Sequence, residues 1–127
     1  MGGAGCGIDR TFTAYSKNDQ ANQPTRCMIV YNSTIKVHPA IETAWLQWQQ
    51  EEHIPDIMRS GQFTSYKMYR LLEQDDSEGS TYVIQFTASD LSHYQHYLDV
   101  FAPALSQKAF AKWGEGFIAF RTIMQVV

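Results

Sequence analysis

Two side chains in this 127-residue chain combine reactive chemistry with a setting that could use it. Asn32 is a primary amide inside the apolar run Ile29-Val30-Tyr31-Asn32-Ser33-Thr34-Ile35. An amide buried there must find hydrogen-bond partners or cost on the order of 1–3 kcal/mol. It can orient a substrate, or it can bond a neighbouring loop or helix end. His53 stands just before Ile54-Pro55. An imidazole facing a cleft there can act as a general base near neutral pH, and one facing the helix end can bond the last free carbonyls instead. Asn32 and His53 are the candidate catalytic residues. The candidate ligand-binding residues are Trp45, Trp48, Arg70, Tyr82 and Arg121. The tryptophans are spaced i, i+3, which packs a helix onto its support and can also wall a pocket. Arg70 and Arg121 sit in apolar strands, where a guanidinium needs a carboxylate, carbonyls or an anionic ligand. By parity Arg121 goes with Phe117 and Ile123, and its structural alternative is a salt bridge across a dimer barrel, for instance to Glu73. Tyr82 and Gln85 have opposite parity and cannot line one surface without a bulge.

Other chemistries find no support. His93-x-x-His96 lacks the i, i+4 spacing of helical zinc sites and has no third ligand nearby in sequence. Asp75-Asp76-Ser77-Glu78 reads as a solvated hairpin tip, because the twelve-residue calcium spacing is missing. The Gly3-x-Gly5-x-Gly7 spacing follows no strand and opens no helix, so it is no phosphate cradle. No Gly-x-Ser-x-Gly elbow or Cys–His nucleophile pattern occurs in the folded part. Neither a metal nor a cofactor is expected.

These residues must be held by a small frame. With 10 Lys+Arg against 13 Asp+Glu there is no basic footprint for nucleic acid, and no apolar stretch is long enough to span a bilayer. Residues 1–26 hold 8 apolar residues and half of the 8 glycines, against 48 apolar residues in 27–127. We therefore expect a disordered tail over 1–26 and one domain over 27–127. The tail matches neither a secretory signal nor a myristoylation site. The first regular element begins at Met28, which fits a natural start there with the tail as an upstream artefact. Cys6 and Cys27 form no disulfide framework or ligand pair, so reduced thiols in the cytoplasm are expected.

Alternation from Met28 to Val37 predicts a strand buried on both sides. Pro39 opens a helix with Ile41, Ala44, Trp45 and Trp48 on one stripe, to about His53, after which Pro55 stops or restarts it. Phe63–Glu73 and Thr81–Ala88 predict a hairpin. Ser89 caps a second helix carrying Leu91, Tyr94, Leu98, Phe101 and Leu105, bent or divided at Ala102-Pro103 and ending near Trp113. Phe117–Val127 predicts a fourth strand. The order β-α-β-β-α-β is that of an α+β ferredoxin-like fold, a four-stranded antiparallel sheet with two helices on one face. Apolar residues at both strand parities require a cover for the other face, and a second copy of the chain is the simplest one. A homodimer, a dimeric α/β barrel, follows.

The motifs Tyr31-Asn32-Ser33-Thr34, Trp45-Leu46-Gln47-Trp48, Glu52-His53-Ile54-Pro55-Asp56, Gly61-x-Phe63, Arg70-Leu71-Leu72-Glu73 with Ser77-Glu78-Gly79, Phe101-Ala102-Pro103-Ala104-Leu105 and Phe117-x-Ala119-Phe120-Arg121-Thr122 occur in order. In these the chain resembles the bacterial domain-of-unknown-function family numbered four-two-eight-six, over about Met28–Val127. The resemblance implies the dimeric α/β-barrel fold, which also carries cofactor-free monooxygenases, haem-degrading monooxygenases, lactone isomerases and ligand-sensing domains. Haem-degrading members use an Asn on the first strand, a Trp near the end of the third and a His on the second helix. Asn32 matches the first, and His93 or His96 loosely the last, but Phe86-Thr87-Ala88 holds no Trp. The expectation is a homodimer binding a small apolar or aromatic ligand between helices and sheet, with cofactor-free oxygenation or isomerisation implied by fold analogy. There Asn32 would orient substrate and His53 move a proton. The alternative is a non-catalytic ligand-sensing or protein-interaction module.

Overall fold

The computed structural model describes residues 27–127; the expectations for the tail, including a start at Met28, fall outside them. Strand β1 (Ile29–Val37) leads into a first helical arm made of α1 (Glu42–Trp48), a π-helical turn (Gln49–His53) and α2 (Ile54–Arg59). Strands β2 (Ser65–Arg70) and β3 (Ser80–Ala88) form the hairpin. A second arm follows, with α3 (Leu91–His96), a π-helical turn (Tyr97–Phe101) and α4 (Ala102–Trp113), and strand β4 (Phe117–Gln125) closes the fold. The sheet is antiparallel in the order β2-β3-β1-β4, with both arms on one side, the ferredoxin-like arrangement.

Both arms contain a proline, and neither breaks there. Each π turn ends one residue before an X-Pro pair, Ile54-Pro55 or Ala102-Pro103. A proline in a regular α-helix loses one hydrogen bond and presses its ring on the carbonyl four residues back. The wider π turn relieves that crowding, so the backbone stays helical through both sites. Two expected boundaries also move. Pro39 lies in a turn and the first helix starts at Glu42, while Asp90, not Ser89, caps the second arm by accepting from His93 N at 3.0 Å.

Strand register assigns the faces. Ile29, Ile35 and Val37 of β1 and Tyr82, Ile84, Phe86 and Ala88 of β3 point to the helices and are buried with Trp45, Ile54, Ile57 and Phe63. Each large side chain sealed there stabilises the fold by about 1.5–3 kcal/mol. Gly79 closes the hairpin against β1: a Cβ on it would stand 2.0 Å from the Val37 carbonyl oxygen, at φ +128, so only glycine fits.

The opposite face is less apolar than the alternation suggested. Its middle row runs Lys67–Gln85–Asn32–Thr122 across the four strands. Its exposed apolar side chains concentrate on β4, as Ile118, Phe120 and Met124, with Tyr69 on the far edge. Phe120, at 66% exposure, is the most exposed ring of this face. Among the described residues no helix is long and apolar enough to cross a membrane. Cys27 is disulfide-bonded, which departs from the reduced thiols expected of it.

Candidate functional site

The seven residues singled out by sequence fall into four separate places. Asn32 is buried on the helix-free face. Gln85 Nε2 donates to its Oδ1 at 3.1 Å, and its own Nδ2 donates to Thr34 Oγ1 at 3.2 Å. The amide is satisfied inside the sheet, by a cross-strand partner rather than by a loop or helix end.

His53 sits in the first π turn on the helical side. Its ring stacks on Trp48 at 4.5 Å, and Trp113 meets Trp48 edge-on at 5.8 Å. Burial pushes the imidazole down to about 4, against a smaller upward pull from Asp56. The expected near-neutral base is therefore replaced by a half-buried ring that is uncharged at pH 7, its Nδ1 enclosed and without a partner among the described residues. Trp48 also borders a shallow cleft of about 360 Å³ between the arms, with Gln47, Glu51, Glu52, Lys112 and Trp113. Because the sheet separates them, Asn32 and His53 cannot touch one substrate.

Trp45, Tyr82 and Arg70 do come together, at the hairpin end of the sheet. The Trp45 and Tyr82 rings are 5.4 Å apart. Tyr82 Oη donates to Glu42 Oε2 at 2.5 Å, and Arg70 donates to Ser80 Oγ at 2.9 Å and Asp76 Oδ2 at 3.3 Å. Burial and the Glu42 bond raise the Tyr82 phenol to about 12, while the same bond holds Glu42 below its usual value. Every polar group in this network has a partner on the chain, which is the geometry of a structural brace.

Arg121 is different. It stands on the helix-facing side of β4, opposite Ser33 and diagonal to Tyr31, whose own partner is Ile123. That side is not the sheet face a barrel would enclose, and Glu73 lies beyond β2 at the other edge, so the salt bridge considered from sequence does not form within the chain. Among the described residues Arg121 makes no ion pair or hydrogen bond. Tyr31 and Tyr94 stand near enough to feel its charge, and the Tyr31 ring lies 5.6 Å from Tyr94 and 6.0 Å from Tyr97. None of their hydroxyls bonds a described residue, and Tyr94 and Tyr97 are themselves buried. Burial raises all three phenols; the Arg121 charge pulls Tyr31 and Tyr94 back, and the other tyrosines push Tyr97 further up. They are neutral donors at pH 7. Because α3 rests on β1 and β3, the helix-facing side chains Ala119, Arg121 and Ile123 of β4 remain exposed, a strip beside the tyrosines. Sequence reasoning missed this group. Tyr94 lies on the apolar stripe of the second arm and Tyr31 on the apolar parity of β1, so both read as core, and only register brings Arg121 beside them.

His93 serves the Asp90 cap, with Nδ1 2.8 Å from Oδ1. Among the described residues no group of three or more His, Cys, Asp or Glu side chains could hold a metal ion.

A family model described as "Domain of unknown function (DUF4286)" matches residues 28–127. No curated protein sequence matches the chain. Solved structures share the fold at low identity. SnoaB, a cofactor-independent oxygenase from Streptomyces nogalater, is 14% identical with a TM-score of 0.57, over 76% of this chain and 90% of that one. An ethyl tert-butyl ether D (EthD) family protein from Bacillus halodurans C-125 is 14% identical with a TM-score of 0.58, over 74% and 96%. A dimeric ferredoxin-like protein from an uncultured marine organism is 14% identical with a TM-score of 0.56, over 80% and 96%. At such identities the likeness establishes the fold alone.

Proposed function

Since the chain belongs to the DUF4286 family, which brings a fold without an assigned reaction, we propose that it is a homodimer that binds a small aromatic ligand on the helix-covered side of its sheet. The observation carrying this reading is the exposed strip along β4, where Arg121 meets the phenols of Tyr31 and Tyr94 and none of the three bonds a described residue. Unpaired polar groups beside an aromatic wall are what a ligand site offers before it is filled. The other sheet face supplies the dimer contact: the Ile118, Phe120 and Met124 stripe loses water when a second sheet packs on it, and a marine relative in fold is described as dimeric.

Cofactor-free oxygenation or isomerisation is the reaction class that the likeness to SnoaB supports for such a site. Asn32 and His53 drop out of that chemistry, the first as a sheet brace and the second as a packing ring. Their loss favours a second reading, a non-catalytic ligand-sensing module, because no histidine among the described residues is placed beside Arg121. A thermal-shift screen with aromatic and quinone-like compounds, followed by chemical-shift mapping, tests the site: hits should perturb Tyr31, Tyr94 and Ile123. Hits that map only to the cleft between Trp48 and Trp113 would overturn it. Oxygen uptake with a mapped hit then separates enzyme from sensor.

A further inference from the structure

Resting on the helix-side reading above, the site can be given a chemical class. Its polar groups are one-sided. Arg121 contributes five N–H donors, and Tyr31 and Tyr94 contribute hydroxyls that stay protonated. No carboxylate among the described residues pairs with Arg121, although the protein as a whole carries more acidic than basic groups, 13 against 10. At the other edge of the sheet Arg70 has taken such a partner, Asp76. A planar guanidinium flanked by phenols offers an oxyanion several donors at once, two of them in the fork that suits a carboxylate. The remaining surface is flat and apolar, from the Tyr31 and Tyr94 rings to Ile123 and Ala119 along β4.

We propose that the ligand is a small planar monoanion, an aromatic or conjugated body lying against Tyr31, Tyr94 and Ile123 with its charged oxygen on Arg121. A neutral analogue of the same shape keeps the stacking and loses the charge-assisted bonds, so it should bind about tenfold more weakly or worse.

The test uses the full chain, with 1-naphthoate and the neutral 1-naphthamide as matched probes followed by chemical-shift titration. Naphthoate is expected to bind at least about tenfold tighter than naphthamide and to shift Tyr31, Tyr94 and Ile123. Arg121→Gln should erase most of that advantage, weakening naphthoate far more than naphthamide. Arg121→Lys, which keeps the charge without the fork, should recover part of it. Arg59→Gln, at an exposed helix position, removes the same charge elsewhere and should change nothing. Equal affinities for the two probes, or naphthoate binding that survives Arg121→Gln, would overturn the anion class. In that case naphthamide still shifting Tyr31 and Tyr94 leaves the helix-side site standing. If neither probe moves those resonances, both readings fall.

Discussion

The sheet has two edge strands, and each carries one arginine on its helix-facing side. Both edges project past the helical arms and both arginines are solvent-exposed. At the β2 edge Arg70 is tied to Ser80 and Asp76, beside Tyr82 bonded to Glu42. At the β4 edge Arg121 and the hydroxyls of Tyr31, Tyr94 and Tyr97 have no bond to any described residue. The same residue type in the same kind of element is a brace at one edge and an open donor array at the other. The difference comes from what the neighbouring strand and loop supply: the hairpin brings Asp76 and Ser80 back to Arg70, whereas β4 follows a short Gly114–Gly116 turn and meets only Ser33 and phenols.

The largest effect should come from the helix-free face of the two edges. Phe120→Lys places an unpaired charge in the proposed dimer contact, at about 3 kcal/mol or more, and light scattering at micromolar concentration should then report a single-chain mass in place of a two-chain mass. A single-chain mass for the unaltered protein would remove the barrel altogether. The next concerns ligand: Arg121→Gln should weaken 1-naphthoate binding about tenfold or more by calorimetry, and Arg70→Gln should leave it within a factor of about two. Equal losses in the two variants would mean that the edges are not different in kind.

Stability should divide the other way. Tyr82→Phe removes a hydrogen bond to a carboxylate and should lower stability in urea denaturation by about 1 kcal/mol, whereas Arg121→Ala should change it by less than about 0.5 kcal/mol. The smallest effect is in alkali. Tyr82 titrates at about 12 in the folded protein, above its unfolded value near 10, so the folded state holds a proton that the unfolded state has lost. Stability from this group is intact below pH of about 10 and declines as pH rises toward 12, and Tyr82→Phe should flatten that decline. In ultraviolet titration Arg121→Gln should move the Tyr31 and Tyr94 phenols further up, because the charge that now pulls them down is gone.

Periodicity was enough to place the elements. Alternation along Ile29–Val37, the Trp45/Trp48 stripe and the Tyr94/Leu98/Phe101/Leu105 stripe each corresponded to an observed strand or helical arm. The prolines were harder: Pro55 read as a stop or restart and Pro103 as a bend or division, while the backbone stays helical through each behind a π turn, a choice that depends on how the arm packs rather than on local propensity. Parity also told that Tyr82 and Gln85 point apart and that Arg121 opposes Phe120 and Met124. It could not tell which of those faces holds the helices, and Asn32 was placed on the wrong one.

What the sequence alone determined is therefore the order of elements and the two-fold alternation within each strand, since both follow from local backbone geometry and the burial of apolar side chains. What the tertiary structure decided is which polar groups are satisfied. Asn32 meets Gln85, Arg70 meets Asp76, and Arg121 stands near Tyr31 and Tyr94 through strand register and loop return, between residues distant along the chain. A residue's type states what bonds it can make; whether a partner is already there is a property of the fold.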